Sequence, residues 1–263
     1  MRFLSVVSLC LCALSPAEAA TLASFSSLST SDPGLPRLTG YASTNGATTG
    51  LPGGVYDNAA AASGEGRTMA SDSWGDLARG AVRMSGSATG MNGDTYAQTS
   101  SYFRLDATFT TDRLARISYD IGYSGGWSRS ERQNGDMSVD ISLYSGSANR
   151  SWFGDARILT GLPEDDFDDR LRLSHVVRPG VTYSFQLLID AAMNGGIGYE
   201  SGAFALQTLI GLGASDGARI TFDDPRLFAD ARPAPVPLPA PAALLGAAML
   251  GLVAVGRRRR ARP

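Results

Sequence analysis

Apolar and polar residues alternate one by one over five stretches of this chain. Phe103, Leu105, Ala107 and Phe109 alternate with Arg104, Asp106, Thr108 and Thr110, and Ile117, Tyr119, Ile121 and Tyr123 with Arg116, Ser118, Asp120 and Gly122. Met137, Val139, Ile141 and Leu143 alternate with Ser138, Asp140 and Ser142. The same pattern runs from Val181 to Asp190 and from Ala218 to Asp223. A period of two is that of a strand with one packed face and one wet face. Turn formers separate the runs: Thr111-Asp112-Arg113, Asn134-Gly135-Asp136, Arg178-Pro179-Gly180 and Ser215-Asp216-Gly217. No stretch of helical periodicity long enough for a crossover lies between them. One-sided strands without crossover helices predict an all-β, antiparallel sandwich of jelly-roll type. The Ala/Gly/Ser-rich segment 45–66 reads as a long loop, with room for a short helix near Ala59 to Ala62.

Both ends carry a different pattern. Met1-Arg2, an apolar stretch from Phe3 to Leu14 and Ala17-Glu18-Ala19 form a secretory signal peptide with cleavage expected after Ala19. At the other end, Ala231-Arg232-Pro233-Ala234-Pro235 is an extended spacer, followed by Val236-Pro237-Leu238-Pro239-Ala240 and an apolar run to Gly256. A helix from Leu238 to Gly256 would be roughly 28 Å long, just enough for a hydrocarbon core of about 30 Å. Arg257, Arg258, Arg259, Arg260 and Arg262 then hold the C-terminus on the cytoplasmic side. The organisation expected is a signal peptide (1–19), a β-sandwich domain (20–230), and a spacer with a sorting tail (231–263) whose transmembrane helix covers about 238–256.

That tail resembles the C-terminal sorting signal of the PEP-CTERM type, in its VPLPA-CTERM variant, found on exported proteins of Gram-negative bacteria. The resemblance covers about a tenth of the chain and describes routing, not activity. It implies recognition by a membrane-embedded exosortase, cleavage near Val236 to Ala240, and transient membrane anchoring before display at the cell surface or release, often in bacteria that make exopolysaccharide. The Pro-Glu-Pro of the name-giving motif is absent.

Processing changes what the composition means. Cys10 and Cys12 both lie in the signal peptide, so the mature chain holds no cysteine for disulfides, thiolate zinc sites or nucleophiles. Of 23 basic and 25 acidic residues, Arg2, Glu18 and the five tail arginines are removed, leaving a net charge of −7. With no basic cluster in the domain, nucleic acid is not an expected partner.

Four constellations carry candidate chemistry. Gly122-Tyr123-Ser124-Gly125-Gly126 matches the nucleophile-elbow spacing, with Asp165 and His175 downstream in the order of α/β-hydrolases. The helix such an elbow requires has no counterpart in the following polar run, so the segment reads as a hairpin loop. His175 is the single histidine, which excludes a multi-histidine metal site within one chain. The run Glu164, Asp165, Asp166, Asp168 and Asp169 concentrates negative charge and would suit calcium, yet the glycine and glutamate positions of an EF-hand hold Asp169 and His175; it reads as a solvated acidic loop. Trp127, Trp152 and Phe153 flank glycines and are candidates for sugar stacking. No set of residues forms a convincing catalytic site, and no cofactor is called for. The function expected is therefore a non-catalytic surface or matrix protein used for adhesion or structural contact. Two alternatives are a carbohydrate-binding module for exopolysaccharide and a glycoside hydrolase with paired carboxylates.

Overall fold

The computed structural model describes residues 19–31, 35–91, 96–130, 135–160, 164–195 and 201–230; side chains at 135, 159, 160, 164, 165 and 195 are left aside. The expected signal peptide up to residue 18 and the whole of 231–263, with the expected sorting motif, the apolar run and the arginines, lie outside the described residues. Among the described residues no helix is long and apolar enough to cross a membrane.

Among the described residues, thirteen strands form two antiparallel sheets packed face to face. The first sheet runs β2 (Thr39–Ala47), β1 (Thr21–Ser31), β6 (Tyr96–Thr111), β11 (Tyr183–Gly195), β8 (Gly135–Ser147) and β9 (Arg150–Thr160), with β13 (Ile220–Phe222) added to the end of β6. The second runs β10 (Glu164–Val177), β7 (Ala115–Arg129), β12 (Ser201–Ala214), β5 (Ala81–Thr89), β4 (Arg67–Asp76) and β3 (Val55–Gly64). From β5 to β13 the chain repeatedly passes from one sheet to the other. The edge strands β2 and β3 lie against each other, and so do β9 and β10, which shields two pairs of edges that would otherwise invite further strands.

Alternation turns directly into burial. Phe103, Leu105 and Phe109 of β6, Phe185, Leu187 and Ile189 of β11 and Met137, Val139, Ile141 and Leu143 of β8 face inward from the first sheet. Ile117, Tyr119 and Ile121 of β7 with Phe204, Leu206 and Ile210 of β12 meet them from the second. The rings of Tyr119 and Phe185 stack across the gap at 5.6 Å, and those of Tyr56 and Phe103 at 5.7 Å. Each such side chain buried stabilises the fold by roughly 1.5–3 kcal/mol.

At the β1–β4 flank the two sheets meet through serines. Ser24 and Ser73 share a hydrogen bond of 3.0 Å, Ser71 and Ser101 one of 3.1 Å, and Ser26 donates to the Asn58 carbonyl at 2.9 Å. Small side chains let the sheets approach, and pairing across the gap satisfies hydroxyls that would be costly to bury alone.

Three local expectations are corrected. Segment 45–66 is not a long loop: β2 runs to Ala47, two short 3₁₀ turns follow, and β3 covers Val55–Gly64, including Ala59 to Ala62. Tyr56, Asn58 and Ala60 alternate inward, a pattern that its alanines disguise because they are nearly neutral on both faces. Gly122 to Gly126 is the interior of β7, not a hairpin loop. The acidic run is the first half of β10, not a loop.

Candidate functional site

The outward side of the first sheet carries what the core does not use. Register places Phe25 of β1 opposite Tyr102 of β6, with Tyr41 of β2 one step away opposite Ser27. The ring centroids of Phe25 and Tyr102 are 4.9 Å apart at an interplanar angle of 14°, and those of Phe25 and Tyr41 are 6.1 Å apart at 28°. Neighbouring strands are separated by about 4.8 Å, so rings stacked at that distance stand upright on the sheet, with the stack running across the strands. Tyr41, at the edge, is 66% exposed. At the other end of the stack, the next residue in line is Asp190 of β11, followed by Asp140 of β8 and Arg157 of β9.

Four residues further along the strands, a second row crosses the same face: Thr21, Asp106, Gln186, Tyr144 and Phe153. Arg104 donates to Asp106 through Nε at 2.7 Å and through a terminal nitrogen at 3.2 Å, and Gln186 Nε2 donates to the same carboxylate at 2.5 Å. That fork and amide hold a planar array of donors and acceptors in fixed orientation. A recess of about 520 Å³ opens here, lined by Thr21, Asp106, Thr108, Tyr144, Gln186 and Asp223 among others. From the aromatic row to the Gln186 row is four residues, about 13 Å, and from β1 to β9 about 19 Å, from strand spacing and rise.

The two facing aspartates differ in environment. Asp140 is paired with Arg157 at 3.2 Å. Asp190 is half-buried, and its carboxyl is pushed above the usual range, first by burial and then by the neighbouring Asp140 charge.

The residues singled out from sequence are dispersed. Phe153 is on this outer face and 61% exposed. Trp127 is in the core of the second sheet, 3% exposed, so its ring is not available to a ligand. Trp152 is half-buried on the inner side of β9, its ring 3.8 Å from that of His175. His175 is buried; its Nε2 lies 2.9 Å from the Ser145 hydroxyl, which is 3.0 Å from the Tyr119 hydroxyl. Burial lowers the imidazole to about 4. A neutral ring in that setting packs between the sheets, 30 residues from the serine it contacts and away from Ser124, which lies on the outward side of β7. Along β10, Asp166 and Asp168 share one side of the strand and Asp169 takes the other, as strand geometry requires. Among the described residues no group of three or more histidine, cysteine or acidic side chains is arranged to hold a metal ion.

Phe25, Tyr41 and Tyr102 escape sequence reasoning because each belongs to a different strand and none is in a motif. The only signal was an aromatic at a polar-phase position of β6, since Tyr102 precedes the inward Phe103.

No family model matches this chain, and no curated protein does. Among solved structures, one similar chain comes from work described as "Structural basis for the promiscuous specificity of the carbohydrate-binding modules from the beta-sandwich super family", with 10% identity, 70% of this chain and 71% of that chain covered, and a TM-score of 0.19. Another is a family 11 carbohydrate-binding module from Clostridium thermocellum in complex with a β-1,3-1,4-mixed-linked tetrasaccharide, with 14% identity, 70% and 95% coverage and a TM-score of 0.17. At such identities and scores the likeness carries no argument about activity.

Proposed function

We propose that the chain is an exported, non-catalytic β-sandwich that binds polysaccharide at the cell surface or in the extracellular matrix, through the outward face of the first sheet. The observation that carries this reading is the juxtaposition, on one exposed face, of the Tyr41–Phe25–Tyr102 stack with the Arg104–Asp106–Gln186 array. Aromatic faces and edges accept the C–H surfaces of sugar rings, and fixed guanidinium, carboxylate and amide groups meet their hydroxyls. A footprint of roughly 13 by 19 Å suits a few sugar units of a longer polymer better than a single small molecule. The VPLPA-CTERM-like tail supplies the address: processing by an exosortase would place this face outside the cell, where it can meet exopolysaccharide.

Affinity electrophoresis of the full chain through gels containing barley β-glucan, xylan or exopolysaccharide from the producing bacterium tests the reading. Retardation by at least one polymer, weakened tenfold or more in Tyr102→Ala and Gln186→Ala, is expected. Retardation unchanged in both variants, or none in any gel, would remove this face as the binding site.

A further inference from the structure

The opposite side of the sandwich has its own recess. Register lines up Asp57 of β3, Trp74 of β4, Arg83 of β5, Gln207 of β12 and Ser124 of β7 across the outward face of the second sheet. The Arg83 guanidinium sits 5.1 Å from the centre of the half-exposed Trp74 ring, which positions the guanidinium on this face. Beside it, Asp72, Ser85 and Ala205 form the next row, and an open space of about 580 Å³ lies over Asp72, Arg83, Ser85, Ser124, Ala205 and Gln207. The middle of this space has serine and alanine for a floor, with the larger guanidinium, amide and carboxylate around it.

We infer that this recess is a second glycan-binding site, so that the protein is bivalent and links two polysaccharide chains, one on each face of the sandwich. The inference rests on the reading of the first face as a polysaccharide surface. Three things favour a neutral glycan as the occupant. Gln207, Arg83 and Asp72 offer both donors and acceptors at hydroxyl-bonding height, with Arg83 held in place by the Trp74 ring behind it. Asp57 and Asp72 lie close enough for burial and the Asp57 charge to raise the Asp72 carboxyl, so a polyanion would meet like charge on entering. The small floor admits a flat ring. Sheets packed about 10 Å apart with interleaved cores keep the two recesses on opposite surfaces, so one extended polymer segment cannot fill both at once.

Bivalency predicts behaviour that a one-sided module lacks. Isothermal titration of the full chain with a cello-, xylo- or mixed-linkage hexasaccharide cut from the retarding polymer should give two sites per chain, and mixing the chain with the intact polymer should raise turbidity or viscosity. Trp74→Ala and Gln207→Ala should each reduce the stoichiometry to one and abolish cross-linking, with melting temperatures unchanged for the exposed Gln207→Ala. Tyr102→Ala should remove the other site and leave this one. A single site that is lost in Tyr102→Ala and untouched in Trp74→Ala and Gln207→Ala would overturn the second site while leaving the first. A single site lost in Trp74→Ala and Gln207→Ala but kept in Tyr102→Ala would uphold this recess and overturn the proposed first face. Absence of any binding across the three oligosaccharides would overturn both.

Discussion

At the scale of single residues, burial decides chemistry more firmly than motif does. His175 and Ser124 have the types and order of a hydrolase pair, yet the histidine is buried between sheets and the serine faces outward on β7. A neutral His175 has a pH signature. Its folded value is about 4 against an ordinary 6.5, so below pH 6.5 the unfolded chain takes up the proton first and stability falls as pH is lowered, until the folded value is passed. From neutral pH down to 5 the loss should come to about 2 kcal/mol, in a window where no other side chain of ordinary pKa titrates, because this is the only histidine. Urea unfolding at pH 7, 6 and 5 would show it, and His175→Gln should flatten the dependence over that interval; an equally steep decline in the variant would assign the effect elsewhere.

At the scale of elements, the five alternating runs are strands: 103–109 lies in β6, 117–123 in β7, 137–143 in β8, 181–189 largely in β11, and 218–222 ends in the short β13. What alternation could not reveal were strands whose inward residues are themselves small or polar. β1 buries Ser24, Ser26 and Thr30 beside Leu22 and Leu28, and β4 buries Ser71 and Ser73, so their two faces look alike in sequence. Glycine in β7 misled for a related reason, since Gly122 to Gly126 resembles a turn in composition. Gly125 is there because β7 and β12 pack with Phe167 over them: a methyl added at Gly125 would lie 2.2 Å from the Ala205 carbonyl oxygen and 2.8 Å from the Phe167 ring. Gly125→Ala should therefore destabilise by about 1–3 kcal/mol through overpacking, read as a lower urea midpoint. Ser124→Ala should stay within about 0.5 kcal/mol of the parent, as an outward strand position would.

At the scale of the whole molecule, the descending end of the domain is tied to its beginning. Asp224 is buried and accepts from the Thr48 hydroxyl at 2.7 Å and from Arg226 at 2.9 Å, while Arg226 also donates to the Thr48 and Leu51 carbonyls at 2.7 and 3.1 Å. These bonds, led by that to Arg226, lower the Asp224 carboxyl to about 2. Its contribution is present above about pH 4 and is lost as pH falls towards 2. Asp224→Ala removes the charge partner of Arg226 and one acceptor of the buried Thr48 hydroxyl, and a loss of about 2–3 kcal/mol is expected in thermal or urea unfolding. Routing can be tested separately by intact mass: protein from envelope and medium should end near Val236 to Ala240 in a wild-type host and not in one lacking its exosortase. A mass retaining Arg262 and Pro263 in both hosts would make the tail a permanent anchor.

The amino-acid sequence by itself determined that this is an antiparallel β protein, because the period of two is a local property written at every second residue. It also carries the expected address, in tail residues 236–262, since hydropathy and charge order need no folding to be read. Only the tertiary structure decided which strands are neighbours, because consecutive strands mostly belong to opposite sheets and register is a long-range choice. That choice brings Phe25, Tyr41 and Tyr102 from three strands into one stack, sets Trp74 beside Arg83 and Gln207 on the opposite face, and withdraws Trp127 into the core. A side chain's phase on its strand says that it points outward; what it meets there depends on the partner strand, and that is settled by packing.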